Sequence, residues 1–398
     1  MINLGLTQSE MNSLIVLLRS PHFIHINIRL MTLQHEYKQD ISKQFVSGGV
    51  SIDESSDITR SLDLTLFDPQ RRIHVDPDTA SSTSVFIADM ISVVYTVQNP
   101  TRTQTYNIPV FTGPIDDVNR DDTFLYLKCV GKESLSLQNL WIAKTYRKNA
   151  RKTDVIKDIL RWRIGEGRMN IPSLSAKLPN DLKLTREKVP WTIAKNLASG
   201  MGYELFYDGR GVATMRKRVG AKAVFTFDDK FVTERPQVDY DLSEIKNVVE
   251  VIGAKPKKAK TNIKYVATAP RNHPLSPYRL GRNGVPRYIF ESIQDDSINT
   301  AAEAKALATS KLNSYLLSGY DAQWNGTPVP MLEENDIVRL NSGDVNAYIR
   351  LRKFTIPLGI EAASYGHLRK IRPRGGAKGV AAPKPKIRRS RGRKAPQR

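Results

Sequence analysis

The sequence has only one cysteine, Cys129, and no long run of apolar residues. A single cysteine excludes an internal disulfide and a cysteine-rich metal site, and it is typical of a protein assembled in a reducing cytosol. The best apolar segment near the start, residues 14–18, is far shorter than the roughly 20 residues of a membrane-spanning helix. No basic region precedes it, so we expect neither a signal peptide nor stable membrane insertion.

The sequence also lacks the motifs of common enzymes. It contains no His-Glu-x-x-His helix, no Gly-x-Ser-x-Gly elbow and no phosphate-binding loop. A glycosidase needs two carboxylates about 5–9.5 Å apart across one bond, whereas adjacent residues of an extended chain point apart. We therefore interpret five adjacent acidic pairs as solvated turn residues: Asp116/Asp117, Asp121/Asp122, Asp228/Asp229, Asp295/Asp296 and Glu333/Glu334.

Three further constellations also favour a structural interpretation. The spacing of His22 and His25 places them on opposite faces of a strand, with no third metal ligand nearby. Cys129 lies inside a predicted strand, where we expect a buried, inert thiol. Gly209 and Gly211 flank Arg210 in a predicted hairpin turn, and a phosphate site would need a helix directly after the loop. We predict no catalytic residue, no cofactor and no bound metal.

Positive charge is concentrated at the C-terminus. The net charge is +21, but residues 369–398 hold 13 Lys/Arg and no acid, so the preceding 368 residues have 48 basic and 40 acidic side chains. This tail has too little apolar material to fold alone, and we expect it to be disordered or bound to a partner. It could neutralise DNA phosphates, dock on an acidic protein surface or only improve solubility. The predicted partner-binding residues are Arg388, Arg389, Arg391, Arg393 and Lys394.

Alternating apolar residues predict a mainly β chain. In the most informative segment, Leu62, Leu64 and Leu66 alternate with polar residues, as in a half-buried strand. Turn signals at Asn99-Pro100 and Gly113-Pro114 separate further short strands, and a bulge is expected near Arg352-Lys353. The predicted strands lie near residues 24–30, 45–53, 58–66, 89–97, 106–112, 123–130, 241–254, 329–340 and 348–358.

Helix signals interrupt this pattern. Thr7 with Glu10, and Thr300 with Glu303, have capping-box spacing, Thr153 is expected to cap a helix that follows it, and Pro190 to open another. We therefore divide the chain into five parts: an N-terminal helix or arm at 1–20, a first β-barrel at 21–135, an inserted α+β domain with a helix and hairpin at 136–235, a second β-barrel with a helix over 300–317 at 236–368, and a basic tail at 369–398.

Several segments together resemble tail hub (baseplate hub) proteins of long-tailed bacteriophages. They are the strand pair at 45–66, FTGPIDDVNRDDTFLYLKCVG at 111–131, WTIAKNLASGMGYELFYDGRGVATMRK at 191–217 and PMLEENDIVRL at 330–340. The resemblance covers roughly residues 20–360 in order. It implies two tail-tube-like barrels per chain, three chains in a ring of six barrels, and a channel for the tape measure protein and DNA.

The resemblance therefore implies a structural virion protein at the tail tip, assembled in the host cytoplasm. Such a hub adapts the six-fold tail to a three-fold tip. Its expected partners are further copies of itself, the distal tail protein, the tape measure protein, tip or fibre proteins, and passing DNA without sequence specificity. Some relatives carry a peptidoglycan-cleaving or spike domain, but only the basic tail follows residue 368 here.

Two other function classes stay open at this point. A tail-associated cell-wall hydrolase would require a catalytic cleft, for which acids such as Asp228 and Glu334 would be the first to test. A nucleic-acid-binding protein is suggested by the tail and by a loop that interleaves Tyr and Arg at positions 278, 279, 282, 287 and 288. We favour packing of this loop against a neighbouring subunit, where Tyr and Arg are also frequent.

Overall fold

The computed structural model describes residues 1–2, 4–75, 84–86, 89–137, 143–186, 188–217, 223–239, 245–255, 261–295, 298, 300–317, 321–359 and 361–371. Within them the chain is mainly β with an inserted α+β part, which confirms the fold class predicted from the alternating pattern. The proposed basic-tail residues at positions 388–394 lie outside the described part. No described helix is long and apolar enough to cross a membrane.

The first part of the chain is a helix followed by an antiparallel β region. Thr7 accepts a hydrogen bond from the backbone N–H of Glu10, and the Glu10 carboxylate accepts one in return, which confirms the predicted capping box. The elements are α1 (Gln8–Leu18), β1 (Phe23–Met31), β2 (Tyr37–Asp40), β3 (Phe45–Asp53), β4 (Arg60–Phe67), β5 (His74–Val75), β6 (Ser84–Val85), β7 (Met90–Gln98), β8 (Thr105–Arg120) and β9 (Phe124–Val130). Short 3-10 helices cover Ser42–Gln44 and Lys132–Ser136.

The turn predicted at Gly113-Pro114 is wrong, because β8 runs straight through it. The first half of this strand pairs with β7 and the second half with β9. Pro114 lies opposite Met90 close to the point where β8 changes partner, so it does not interrupt a continuous ladder. The long strand therefore joins two parts of the sheet.

The next segment is a small α+β unit with its own core. It contains β10 (Lys144–Tyr146), α2 (Lys152–Ile164), β11 (Met169–Asn170), β12 (Leu182–Leu184), α3 (Pro190–Gly200), β13 (Tyr203–Tyr207) and β14 (Ala213–Lys217). The core packs apolar faces of α2 and α3 against the β13–β14 hairpin, around the fully buried Trp191. The predicted helices and hairpin are present, but Thr153 does not cap α2. Its hydroxyl accepts instead from the N–H of Leu174.

The remaining elements form two groups. One is a second apolar core, in which α5 covers the three-stranded sheet β18-β17-β19. The other group adds strands to the large sheet. In chain order the elements are β15 (Phe225–Asp228), β16 (Gln237–Asp239), β17 (Val248–Ile252), β18 (Lys264–Thr268), α4 (Pro277–Leu280), β19 (Phe290–Gln294), α5 (Ala301–Leu317), β20 (Asp321–Gly326), β21 (Ile337–Ser342), β22 (Val345–Arg350), β23 (Lys353–Pro357) and β24 (Ala363–Ile371).

One large sheet joins the early and late strands. β3 pairs antiparallel with β23, so that Ile52 lies opposite Phe354, and a single core extends from α1 to β24. The expected bulge near Arg352-Lys353 is the break between β22 and β23. Among the described residues no closed barrel is found, and the strands from both ends share a 14-stranded sheet. The domain boundaries given above stay a prediction.

Candidate functional site: a buried charged junction

A buried arginine links the three parts of the fold. Arg60 begins β4, and its side chain is only 4% exposed. One guanidinium nitrogen lies 3.2 Å from Glu333 and 3.3 Å from Glu334, in the turn before β21. The other two donate to the carbonyl oxygens of Val110 in β8 and Tyr207 in β13. One side chain thus joins the first β region, the α+β unit and the late strands.

A second arginine strengthens the same junction from the α+β unit. Arg216 of β14 forms ion pairs with Glu204 and, at 3.1 Å, with Asp336, and it donates to the backbone carbonyl of Glu334. Its guanidinium also lies over the ring of Phe206, 4.9 Å from the centroid. The hairpin is therefore fixed to the turn that carries the two glutamates.

The solvated-turn interpretation of Glu333/Glu334 is wrong. Both residues are buried, and burial raises the pKa of Glu333 and raises that of Glu334 to about 8. The neighbouring Glu333 carboxylate raises the pKa of Glu334 further, while Arg60 opposes both effects. Two carboxylates that share one buried guanidinium do not both ionise readily, so Glu334 holds a proton at neutral pH.

A lysine anchors the other side of the junction. Lys132 follows β9, is buried, and forms an ion pair with the buried Glu166 of the α+β unit. It also donates to the carbonyl oxygen of Gly211 at 3.2 Å, in the hairpin turn. Burial lowers the pKa of Lys132, and the Glu166 carboxylate opposes that shift. The predicted tight turn at 209–211 joins β13 and β14, and through Gly211 it also contacts Lys132 of the first β region.

His35 lies between two cations of this cluster. Its ring nitrogens are 3.1 Å from Lys132 and 3.2 Å from Arg168. A neutral imidazole accepts at one nitrogen only, so it can satisfy only one of these donors. Burial, followed by the charges of Lys132 and Arg168, lowers the pKa of His35 to about 4. The imidazole is therefore neutral over most of the physiological pH range.

Buried acids of the junction are incompletely paired. Within the described residues, one carboxylate oxygen each of Glu133, Glu204 and Glu334 has no hydrogen-bond partner. Glu204 and Glu334 also line a small cavity of about 150 Å³ beside Lys195. Burial raises the pKa of Glu133 as well. In the described part of the chain, no group of three His, Cys, Asp or Glu residues is arranged to hold a metal.

A larger cleft of about 620 Å³ lies between the α+β unit and the part of the chain in which α5 covers the β18-β17-β19 sheet. It runs between the ends of α3 and β12 on one side and α5 on the other, and the ion pair of Lys152 with Glu303 crosses it at 3.5 Å. Leu182, Leu197 and Leu307 supply much of its apolar lining. The cleft has the size of a ligand pocket, and charged residues such as Asp181, Asp295 and Lys311 line it beside the leucines.

The other residues singled out from the sequence are scattered. Cys129 is buried, as predicted, and burial raises the pKa of its thiol far above the usual range. Asp228 forms an ion pair with Arg19 at 3.0 Å. It takes no part in the described ion pairs of Arg60 and Arg216. His22 bonds to the carbonyl of Ser20. The remaining described acidic pairs are exposed or half-buried; they are Asp116/Asp117, Asp121/Asp122 and Asp228/Asp229.

The sequence matches no protein-family model and no curated protein. The fold does match solved structures. The tail protein from Neisseria meningitidis MC58 superposes with a TM-score of 0.57 at 12% identity, over 87% of this chain and 97% of that one. The 43 kDa tail protein of prophage MuSo2 from Shewanella oneidensis gives 0.56 at 12% identity, over 87% and 98%. Prophage tail protein gp18 from Listeria monocytogenes EGD-e gives 0.50 at 12% identity, over 88% and 95%.

The chain has the fold of these tail proteins. The resemblance to tail hubs that the ordered local segments indicated is therefore confirmed at the level of the fold. The match covers nearly the full length of each tail protein and 87% of this chain. At this identity the comparison establishes architecture, and activity has to be argued from the chain itself.

Proposed function

We propose that the chain is a structural protein of a virion, the hub at the tip of a long-tailed phage tail. The observation that carries this proposal is the end-to-end match of its fold to three tail proteins. In this role three copies form a ring that adapts the six-fold tail to a three-fold tip. The ring surrounds the conduit for the tape measure protein and DNA, and contacts the distal tail protein and tip or fibre proteins.

The charged junction supports a mechanical role. Arg60, Arg216 and Lys132 tie the α+β unit to strands β4 and β9 and to the turn before β21. A buried ion pair is weak evidence for stability, but breaking one is strongly destabilising because it leaves an uncompensated charge. The junction therefore resists relative movement of the three parts, as a ring that supports a tail tip requires.

The test is a density map of assembled particles. We expect this chain at the tail tip in three copies around the tail axis. A six-fold or single-copy arrangement, or a position away from the tail, would contradict the proposal.

The hydrolase alternative has a separate test. Glu333 and Glu334 contact Arg60, and Asp228 pairs with Arg19. Glu204 and Glu334 line the same small cavity, but Arg216 holds Glu204 and Arg60 holds Glu334. We expect no clearing of cell-wall gels by the purified chain. Clearing that is lost in Asp228→Asn would contradict the structural role.

The basic tail is proposed to bind an anionic partner by charge. Its residues 388–394 include Arg388, Arg389, Arg391, Arg393 and Lys394. Passing DNA and an acidic surface of another tail protein are both compatible with this composition. In this proposal the tail binds its anionic partner by charge alone and does not recognise a DNA base sequence.

A further inference from the structure

The loop before β19 forms an exposed basic surface. Residues 270–290 contain four arginines and no acidic residue. Tyr278 and Tyr288 are 48% and 57% exposed, and the guanidinium of Arg271 lies 4.5 Å from the centroid of Tyr278. We call this the basic–aromatic surface; it consists of Arg271, Tyr278, Arg279, Arg282, Arg287 and Tyr288.

The surface continues onto an open sheet face. α5 covers one face of the β18-β17-β19 sheet, and the opposite face is exposed. On that face Val266 is 46% exposed and Phe290 is 52% exposed. Phe290, two residues after Tyr288, thus connects the basic–aromatic surface with this face, on which Glu250 forms an ion pair with Lys264.

A second open face, in the first β region, has the opposite charge. Asp63 of β4 and Asp117 of β8 lie on either side of Lys128 in β9. Farther along the same face, Phe67 and Tyr126 are 49% and 39% exposed. The ring centroid of Phe124 is 5.7 Å from that of Phe67 and 6.3 Å from that of Tyr126. With the exposed β8–β9 turn, these form the acidic–aromatic surface: Asp63, Phe67, Asp117, Asp121, Asp122 and Tyr126.

We propose that the basic–aromatic surface of one copy docks on the acidic–aromatic surface of the next copy. The two surfaces have opposite charge, and each combines exposed aromatic rings with charged side chains. Tyr and Arg are enriched at protein interfaces, and complementary charge steers and orients association. This inference rests on the proposed hub function, which requires a ring of three copies. A contact between two different surfaces produces such a ring when three successive copies complete one full rotation.

Single-stranded nucleic acid is the competing occupant of the basic–aromatic surface. It would use the arginines and stack bases on the tyrosines. It would leave the acidic–aromatic surface without a partner. A second copy accounts for both open faces at once.

A cysteine crosslink in assembled particles tests the contact. Val285 is 68% exposed within the basic loop, and the Asp122 side chain is fully exposed. The native Cys129 is buried and does not compete for the reagent. With Val285→Cys and Asp122→Cys in the same chain, a short bismaleimide should give dimers and trimers on a denaturing gel. Either cysteine alone should leave the chain monomeric, because the contact joins unlike surfaces.

Charge reversal tests the same contact by rescue. Arg279→Glu/Arg282→Glu/Arg287→Glu should reduce the crosslinked product at least about tenfold, since like charges then face each other. Asp63→Lys/Asp117→Lys, with Lys128→Glu to retain the cross-strand pairs and with position 122 kept as cysteine for the crosslink, should have the same effect. Combining both sets should restore the product. The matched control, Lys183→Glu/Arg186→Glu/Lys188→Glu, reverses three exposed cations elsewhere and should change nothing.

The outcomes separate this inference from the hub function. If tails contain three copies but the paired cysteines give no crosslink, the inference is wrong and the proposed function stands. If the combined reversal does not rescue and the full chain instead binds a labelled single-stranded oligonucleotide that the three-arginine reversal releases, the surface belongs to nucleic acid. If the chain is absent from tails, the proposed function itself fails.

Discussion

Arg60 is the side chain on which the junction most depends. Arg60→Met removes the guanidinium that Glu333 and Glu334 share, and leaves Glu333 with only the longer contact to Arg216 at 3.8 Å. We expect the free energy of unfolding to fall by about 3–5 kcal/mol, measured by urea denaturation. Arg235→Met is the control, because its ion pair with Asp344 is exposed and should contribute almost nothing. Equal losses in the two variants would show that the Arg60 contacts are not the stabilising ones.

Glu334 should make the protein less stable as pH rises. Its folded-state pKa of about 8 lies above the ordinary value of 4.5, so between these values the folded chain holds more protons than the unfolded chain. The corresponding stability is present below about pH 4.5 and is lost as pH rises through 8. His35 acts oppositely, because its folded-state pKa of about 4 lies below its ordinary 6.5. The two effects oppose each other below pH 6.5, and above it the Glu334 effect remains.

Glu334→Gln isolates this effect. Glutamine resembles the protonated carboxyl and cannot ionise, so the variant should lose less stability than the parent between pH 6.5 and 8.5, by on the order of 1–3 kcal/mol. Melting temperatures across this range would measure it. Parallel pH profiles for the two proteins would contradict protonation of Glu334 in the fold.

The buried arginine has a signal in the sequence. In β4 the buried positions are Arg60, Leu62, Leu64 and Leu66, so Arg60 is in phase with the leucines. A charged residue at an inward position of a half-buried strand indicates a buried partner. Its partners could not be predicted, because Glu333 is 273 positions away and the turn that carries it looks like an ordinary polar turn.

At the scale of elements, Gly113 permits the close approach of β8 and β9. A Cβ at this position would overlap the carbonyl oxygen of Val130. Gly113→Ala should therefore force the strands apart and destabilise the protein by about 2–4 kcal/mol or prevent folding. Gly200→Ala is the matched control, since a Cβ there meets nothing within 4 Å and the residue lies in α3. It should stabilise by up to about 1 kcal/mol.

Urea denaturation of both glycine variants measures the contrast. If Gly113→Ala is as stable as the parent, β8 does not pass Val130 as described.

Gly113 also explains why the turn predicted at Gly113-Pro114 is wrong. Gly-Pro is a strong turn signal, but here glycine serves a close backbone contact and Pro114 lies near a change of strand partner. Helices with local caps, such as α1 and α5, were predicted correctly because their signals are local.

At the scale of the whole molecule, the order of elements was predictable and their association was not. The alternation of apolar residues indicated most strands, and their order indicated the tail-protein fold. The pairing of β3 with β23 joins segments about 300 residues apart, as in Lys353 opposite Asp53. Nothing in either strand specifies that partner, so separate barrels were expected where one sheet is found.

The end of this sheet determines where the basic tail can be removed. β24 continues to Ile371, and its last residues pair with Tyr348 and Arg350 of β22. Truncation after Ile371 should leave the melting temperature unchanged, because the removed segment is polar and rich in proline. Truncation after Leu368 should lower it by several degrees, since the strand then loses its pairs with β22. Calorimetry measures the melting temperatures of the two truncated proteins. Equal melting temperatures would show that residues 369–371 do not stabilise β24.

The same pair of truncations tests what the tail does. Binding of the full chain to an anionic partner should weaken steeply between about 50 and 200 mM salt, because charge and not shape provides it. Removal after Ile371 should abolish this binding, and replacement of Arg388, Arg389, Arg391 and Arg393 by Ser should remove much of it. A stable truncated chain that still assembles and delivers DNA normally would show that the tail charge has no role. Salt-sensitive binding that survives the truncation would assign it to the basic–aromatic surface.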